Sequence, residues 1–365
     1  MIKGAKALRN HIVHLIIRSL AAVLLIFLFA CEKEPVALKE KESPLIEQNE
    51  DSTAKERIKI GFSMDTLEEE RWLKDRELFK EELEALGVEV EIMIANENAA
   101  VQLSQIETMI SNGTDLLVVV PYYTETAAAI VEKAHSAGIK VISYDRIIKN
   151  ANVDLYVSFD NEMVGELQAE AITNLVPKGK YVYIGGSVTD NNAILLKKGV
   201  FNVLKPSIDR GDIQVVYDQW TENWTPENAY QNMLAALEAN DNQIDAVIAA
   251  NDGTAGGAIR ALEERGLAGT IPVAGQDADL AAIQRIVEGT QTMTVYKPIQ
   301  KLAKKAAELA VALANGETIE TDSKINNGKI EVPSVLLSPI EVNRDNIDDT
   351  VIQDGFHAKE EVYQE

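Results

Sequence analysis

Polar side chains directly follow several apolar runs of this 365-residue chain, and their types suit the recognition of hydroxyl groups. Asp145 and Arg146 follow one such run, Asn251 follows another, and Asp277 and Lys297 follow two more. Carboxylates and amides accept hydrogen bonds from hydroxyls, and guanidinium and ammonium groups donate to them. This set of side chains is typical of a sugar site.

The three tryptophans lie in the same kind of segment, although aromatic residues make up only 5% of the chain. Trp72 stands between Arg71 and Lys74, and Trp220 and Trp224 follow a later apolar run. An indole offers a large rigid surface on which the C–H face of a sugar ring can pack. Two other interpretations stay open: the basic residues form a solvated helix face, or the tryptophans belong to a core.

Single residues of the set also have simpler explanations. Asp145 and Arg146 can form an ion pair at a strand end, and Asp252 can cap the helix that follows it. Asp277 and Asp279 can hold a cation, but the segment lacks the alternating oxygen ligands of a calcium loop.

Catalysis is not indicated. The chain has no Gly-x-Ser-x-Gly motif, and its four histidines do not follow predicted strands. Asp145 and Asp277 could act as the carboxylate pair of a glycosidase. Nearby basic side chains would keep both ionised, which suits hydroxyl binding better. We therefore expect a protein that is not an enzyme and has no metal or cofactor. The absence of Gly-x-Gly-x-x-Gly and Gly-x-x-x-x-Gly-Lys motifs agrees with this.

These residues must be positioned by alternating strands and helices. Apolar runs predict strands over 58–64, 88–95, 115–121, 140–144, 154–159, 180–184, 214–217, 245–250, 271–274 and 292–296. Helical spacing predicts helices over 67–86, 101–111, 126–137, 162–176, 192–204, 226–240, 254–265, 280–288 and 299–315. Such alternation predicts parallel sheets with helices on both faces, and the number of strands favours two α/β lobes. Ligands of such sheets bind beyond the carboxyl ends of the strands.

The charge excludes one class of partner. The chain has 35 Lys and Arg against 58 Asp and Glu, a net charge of −23. So acidic a protein repels phosphate backbones, and we expect no nucleic-acid binding.

The first 56 residues are expected to export and anchor the chain. Residues 1–30 carry four basic side chains, no acidic one and then a twelve-residue uncharged run, which predicts a signal peptide. The run ends in LFAC, where Cys31, the single cysteine, matches a lipidation site. Residues 31–56 are polar and predict a flexible tether. Cleavage before Cys31 would change the net charge to −23 − 4 = −27.

From Lys59 onward the sequence resembles the bacterial D-xylose-binding proteins. The motifs that carry the resemblance are ERW, KDR, SYDR, SFDNEMVGELQA, TDNNA, NDGTAGGAI, GQDADLA, GTQTMTVYKP, NNG and DTVIQDGFH. The resemblance implies two Rossmann-like lobes of the type I periplasmic-binding-protein fold, joined by three crossings of the chain. It implies a first lobe of 57–160 with 297–330 and a second lobe of 161–296 with 331–365.

The resemblance also implies a function and a binding site. The expected protein is a monomeric, lipid-anchored extracytoplasmic binding protein that delivers D-xylose or a similar aldopentose to the permease and ATPase of an ABC importer. The alternative is a sugar-sensing module that signals to a membrane sensor kinase. The implied sugar contacts are Arg71, Trp72, Lys74, Asp145, Arg146, Asn192, Trp224, Asn251, Asp277 and Lys297.

Overall fold

The computed structural model describes residues 57–364, so the predicted signal peptide, Cys31 and the tether lie outside the described residues. The strands are β1 Lys59–Met64, β2 Glu89–Ile94, β3 Leu116–Val119, β4 Lys140–Tyr144, β5 Leu155–Phe159, β6 Gly179–Ile184, β7 Ile213–Gln219, β8 Ala246–Ala249, β9 Val273–Ala274, β10 Met293–Tyr296, β11 Ser323–Asn326, β12 Glu331–Leu337 and β13 Ile340–Asn343. The α-helices are α1 Glu70–Ala85, α2 Ala99–Ser111, α3 Ala128–Ser136, α4 Asn161–Leu175, α5 Asn191–Asp209, α6 Pro226–Ala239, α7 Asp252–Glu264, α8 Leu280–Glu288, α9 Ile299–Ala314 and α10 Lys359–Tyr363. Within this part of the chain, no helix is long and apolar enough to span a membrane.

The strands form two sheets, one in each lobe. The first has the order β11-β12-β5-β4-β3-β1-β2, and the second has the order β13-β10-β9-β8-β6-β7. Pairing is parallel except at one edge of each sheet, where β11 and β13 run antiparallel to their neighbours. The predicted architecture of two α/β lobes is confirmed.

Residues of the central strands are buried on both faces of each sheet. In β3, Leu116 and Val118 pack on the face covered by α1 and α9, while Leu117 and Val119 pack on the face covered by α2 and α3. Successive strand residues point to opposite faces, so a strand covered by helices on both sides must be apolar throughout. This is why central strands such as β3 and β8 appear in the sequence as unbroken apolar runs.

The chain crosses between the lobes three times, after β5, after β10 and between β12 and β13. Two of the crossings are hydrogen-bonded to each other, because the Asp160 amide donates to the Leu337 carbonyl over 3.0 Å. The number of crossings matches the three that the resemblance implied.

One predicted lobe boundary is wrong. Residues 331–337 were expected in the second lobe, but β12 pairs with β5 in the first sheet, with Ser334 opposite Tyr156. Val332 is fully buried in the first lobe's core. The second lobe resumes only after the crossing at Leu337, since β13 pairs with β10.

Candidate functional site

The carboxyl ends of strands from both lobes face a single cavity between the lobes. Eight of the ten expected site residues line it, three more join them, and the full lining is Glu69, Arg71, Trp72, Asp145, Arg146, Asp190, Asn192, Trp224, Gln276, Asp277 and Lys297. Each comes from a segment that follows a strand or begins a helix. This is the position at which parallel α/β sheets bind ligands.

Arg71 is the centre of a first buried charge network. Its guanidinium donates to Asp75 over 3.0 Å and to Asp145 over 2.9 Å, and it lies 3.7 Å from Asp277 of the other lobe. Lys297 lies 2.8 Å from the same Asp277 oxygen. Burial opposes the ionised form of Asp145, but Arg71 and Lys297 outweigh it and lower the pKa of this carboxyl. Asp145 is therefore an ionised acceptor.

Arg146 is the centre of a second network in the same cavity. It pairs with Asp65, and its Nε lies 2.8 Å from Asp190 of the second lobe. Glu69 lies farther away, at 3.9 Å. Burial raises the pKa of Glu69 to about 7, although Arg146 acts in the opposite direction. Glu69 can therefore be present as a neutral acid that donates a hydrogen bond or as a carboxylate that accepts one.

Two indoles form apolar walls. Trp72 and Trp224 are 2% and 8% exposed, and the guanidinium carbon of Arg71 lies 4.3 Å from the centre of the Trp72 ring. Trp224 packs against the backbone of Gly186, where a Cβ atom would lie 2.2 Å from the indole. A glycine is needed at this position to let the ring lie so close.

Several buried polar atoms of this cavity, and of the adjoining space that Asp65 lines, have no partner within residues 57–364. They are Asp65 Oδ1, Glu69 Oε2, Asn192 Oδ1, Trp224 Nε1 and Gln276 Oε1. Such an atom costs about 1–3 kcal/mol unless something bonds to it. A ligand with several hydroxyl groups, each of which donates and accepts, would satisfy this mixture of four acceptors and one donor.

Three lining residues have a left-handed backbone: Asp145, Trp224 and Asp277, with φ of 58°, 58° and 96°. Such strain in non-glycine residues persists only where the surroundings hold it. The Asp145 carbonyl accepts from Tyr156 Oη and Ser158 Oγ over 2.8 and 2.7 Å. These bonds fix the direction in which the Asp145 side chain enters the cavity.

Two expected contacts are not brought to the cavity. Lys74 points away from it, and its Nζ donates to the Phe356 carbonyl over 3.1 Å. Asn251 is buried, but its Oδ1 accepts from the Thr254 amide over 2.8 Å and caps α7. The residue that caps α7 is therefore Asn251, and the prediction that Asp252 could cap this helix is wrong.

The ten contacts predicted from the sequence include too few of the acidic and amide residues that line the cavity. Glu69, Asp190 and Gln276 lie in strand-end segments but were not chosen, and Asp65 was not considered. Asp65 directly follows β1, so the strand-end rule would have found it.

Comparison with known proteins agrees with this geometry. The family model of the periplasmic binding protein domain matches residues 60–318. The chain belongs to the periplasmic binding protein family. The predicted resemblance to the D-xylose-binding proteins is confirmed by a relative from Escherichia coli, the D-xylose-binding periplasmic protein. It is 54% identical over 305 residues, which cover 84% of this chain and 92% of the relative.

Two further comparisons support the assignment to this periplasmic binding protein family. The D-xylose-binding periplasmic protein of Haemophilus influenzae is 54% identical over 306 residues, again covering 84% of this chain and 92% of the relative. An ABC transporter solute-binding protein of Clostridium phytofermentans, solved with bound β-D-glucose, is 31% identical with a TM-score of 0.78. That match covers 83% of this chain and 99% of the other. These relatives are named as binding proteins.

Proposed function

We propose that the chain binds D-xylose between its two lobes and delivers it to an ABC importer. The observation that best supports a sugar as the ligand is the interlobe cavity. There, two indoles and a set of buried, unpartnered polar atoms face the same space. The choice of xylose among sugars is supported by the two relatives that share 54% identity and are named for it. Binding, without chemical conversion, is the proposed activity.

The proposed binding mode assigns a role to each kind of group. Asp145, Asp277 and Asn192 accept from sugar hydroxyls, and Arg71 and Arg146 donate to them. The indoles pack on the C–H faces of the ring. Since these residues come from both lobes, the sugar has more contacts when the lobes are together, and it stabilises the closed form.

A panel of sugars tests the proposal. At about 100 times its dissociation constant, a ligand stabilises the fold by roughly 2.7 kcal/mol. We expect D-xylose to raise the Tm most, with isothermal titration calorimetry giving the Kd. The absence of any shift with D-xylose would contradict the proposal, and a larger shift with ribose, arabinose or glucose would reassign the substrate. Incubation with xylosides should release no product.

Gly186→Ala is expected to weaken D-xylose binding about tenfold or more. The added methyl group would overlap the Trp224 indole at 2.2 Å and push the ring out of its position. Calorimetry measures the loss. Gly253→Ala is the matched control, because its Cβ would meet its nearest neighbour at 3.6 Å, an ordinary contact. Equal affinities of the two variants would show that the position of Trp224 does not matter.

We also infer that the mature protein is anchored to a membrane through Cys31, on the extracytoplasmic side. The support is the signal-like run that ends in LFAC at the single cysteine. Several acyl chains, each contributing about 0.8 kcal/mol per buried methylene, would hold the protein firmly. Mass spectrometry of the mature N-terminus should find an acylated Cys31. Cys31→Ser should release the protein from membranes, and an unmodified cysteine would contradict the inference.

A further inference from the structure

A cluster of charged and polar residues joins the lobes beside the sugar cavity but outside it. Glu70 and Lys74 lie on α1 of the first lobe, and His357 lies in the C-terminal segment, which packs on the second lobe. The cluster contacts residues 278–280, the turn that directly follows Asp277. We refer to Glu70, Lys74 and His357 as the interlobe cluster.

The two contacts of the His357 ring determine which of its nitrogens carries the proton. The ring is buried, with Nε2 2.7 Å from the Ala278 carbonyl and Nδ1 3.3 Å from Lys74 Nζ. A lysine ammonium can only donate, so Nδ1 accepts and carries no proton. Nε2 therefore carries the proton and donates to Ala278. The neutral ring thus connects a side chain of the first lobe to a backbone carbonyl of the second.

All three N–H groups of the Lys74 ammonium have acceptors within or next to the interlobe cluster. Its Nζ lies 2.9 Å from Glu70 and 3.1 Å from the Phe356 carbonyl, besides its contact with His357. These three acceptors match its three N–H groups. The ammonium also lies 3.9 Å from the centre of the Phe356 ring. Lys74 therefore has no donor left for a sugar.

Glu70 completes the connection by capping a helix of the opposite lobe. Its second carboxylate oxygen accepts from the Leu280 amide over 3.1 Å. Leu280 begins α8, and Asp279, which precedes it, makes no side-chain cap bond. The first amides of a helix have no partner within the helix and favour negative charge nearby.

We propose that Glu70, Lys74 and His357 are positioning residues for sugar binding, which hold the turn after Asp277 against α1 when the lobes are closed. This inference rests on the proposed function. Asp277 and Ala278 both have a left-handed backbone, with φ of 96° and 56°, so the direction of the Asp277 carboxylate depends on how this turn is held. The bonds of Lys74 to His357 and Phe356, and the bond from Leu280 to Glu70, join different lobes, so they are lost when the lobes separate. The bond from His357 to Ala278 lies within the second lobe and orients the ring. The cluster therefore acts on the closed form and slows release of the sugar.

The test measures D-xylose binding to His357→Ala and Lys74→Met by calorimetry and stopped flow. We expect Kd to rise about tenfold in both variants, mainly through a faster koff. The Tm of the sugar-free protein should stay nearly unchanged in Lys74→Met, because Lys74 contacts the second lobe only when the lobes are together. His357→Gln should restore much of the affinity, because its amide nitrogen can donate to Ala278. Lys80→Met, the same change on the same helix, is the control, since Lys80 is 44% exposed and 3.9 Å from Glu84.

The pH dependence supplies a second readout. Burial, and then the charge of Lys74, lower the pKa of His357, although the Ala278 carbonyl and the charges of Glu70 and Glu361 act in the opposite direction. The neutral ring is the bound form, so its contribution is present above the ordinary pKa of about 6.5 and is lost as pH falls through the lowered value. Between pH 7 and 5 the wild type should lose more affinity than His357→Gln. Subtracting the two profiles removes the titration of Glu69, which both proteins share.

The outcomes are distinguishable. A wild-type protein that does not bind D-xylose overturns the proposed function, and with it the role of the cluster. A wild type that binds, with His357→Ala and Lys74→Met at the same Kd, overturns the cluster alone. Equal affinities of His357→Gln and His357→Ala would also overturn it, because the donated bond to Ala278 would then not matter.

Discussion

Arg71→Met should lower the free energy of unfolding by about 3–5 kcal/mol and abolish measurable sugar binding, because three buried carboxylates lose their shared cation. Arg71 is 3% exposed and lies within 3.0 Å of Asp75 and Asp145 and 3.7 Å from Asp277. Within residues 57–364, the hydrogen bond from Tyr144, at 2.6 Å, is then the one side-chain bond left to Asp75 to offset its burial. Denaturant unfolding measures the loss.

The stability difference between this variant and the wild type should become smaller as the pH falls. In the wild type the pKa of Asp145 is lowered, so its stabilising contribution is lost as pH falls through that lowered value. Burial already raises the pKa of Asp75 in the wild type, and without Arg71 both Asp75 and Asp145 lose the charge that most opposes burial, so their pKa values rise and protonation at lower pH relieves part of the penalty. Stability relative to the wild type should therefore recover on acidification.

Arg76→Met is the matched control for this variant. Arg76 lies on the same helix, its side chain is 30% exposed, and its partner is the neighbouring Glu77. Exposed pairs of this kind contribute about 0–1 kcal/mol. Similar losses in the two variants would contradict a special role for the buried network.

Asp277→Asn is expected to raise the Kd for D-xylose at least about thirtyfold. Asp277 contacts Lys297 over 2.8 Å, and the change leaves this buried ammonium without its ionised partner. Removing one partner of a buried charge pair in a binding site costs about 2–5 kcal/mol, and 1.4 kcal/mol is tenfold in Kd. Asparagine keeps the shape of the side chain and tolerates the left-handed backbone at this position.

The double variant Asp277→Asn with Lys297→Met separates stability from binding. Removing the unpaired cation should restore part of the Tm, while the sugar affinity stays low. Asp241→Asn is the control, because Asp241 also has a left-handed backbone, at φ 51°, but is exposed. A Kd for Asp277→Asn within about threefold of the wild type would exclude Asp277 from the site.

The sequence predicted the strands and helices up to Asn315 closely because both faces of each sheet are covered. Strand β4 was predicted at 140–144 and found there, and α8 was predicted at 280–288 and found there. Strands β11, β12 and β13 were missed. Strands β11 and β13 have four residues each and lie at sheet edges with partial exposure, and the apolar run of β12 is interrupted by Pro333 and Ser334. Such strands lack the continuous apolar run of a central strand.

The candidate site was predictable where residues directly follow a strand and less so within helices. Asp145, Asp277 and Lys297 each follow a strand and line the cavity. Lys74 lies one turn into α1, and its direction depends on where the C-terminal segment packs, nearly 300 residues later in the chain. No local pattern contains that information. Equally, the sequence showed Trp224 as a candidate but not its left-handed backbone.

The placement of the tryptophans gives this protein a built-in optical reporter. Two of the three indoles, Trp72 and Trp224, lie in the cavity, and they belong to different lobes. The third, Trp220, lies under Lys197, whose ammonium is 4.6 Å from the ring centre. In a Trp220→Phe protein all tryptophan emission would come from the cavity walls, so opening and closing could be followed in real time without an attached dye.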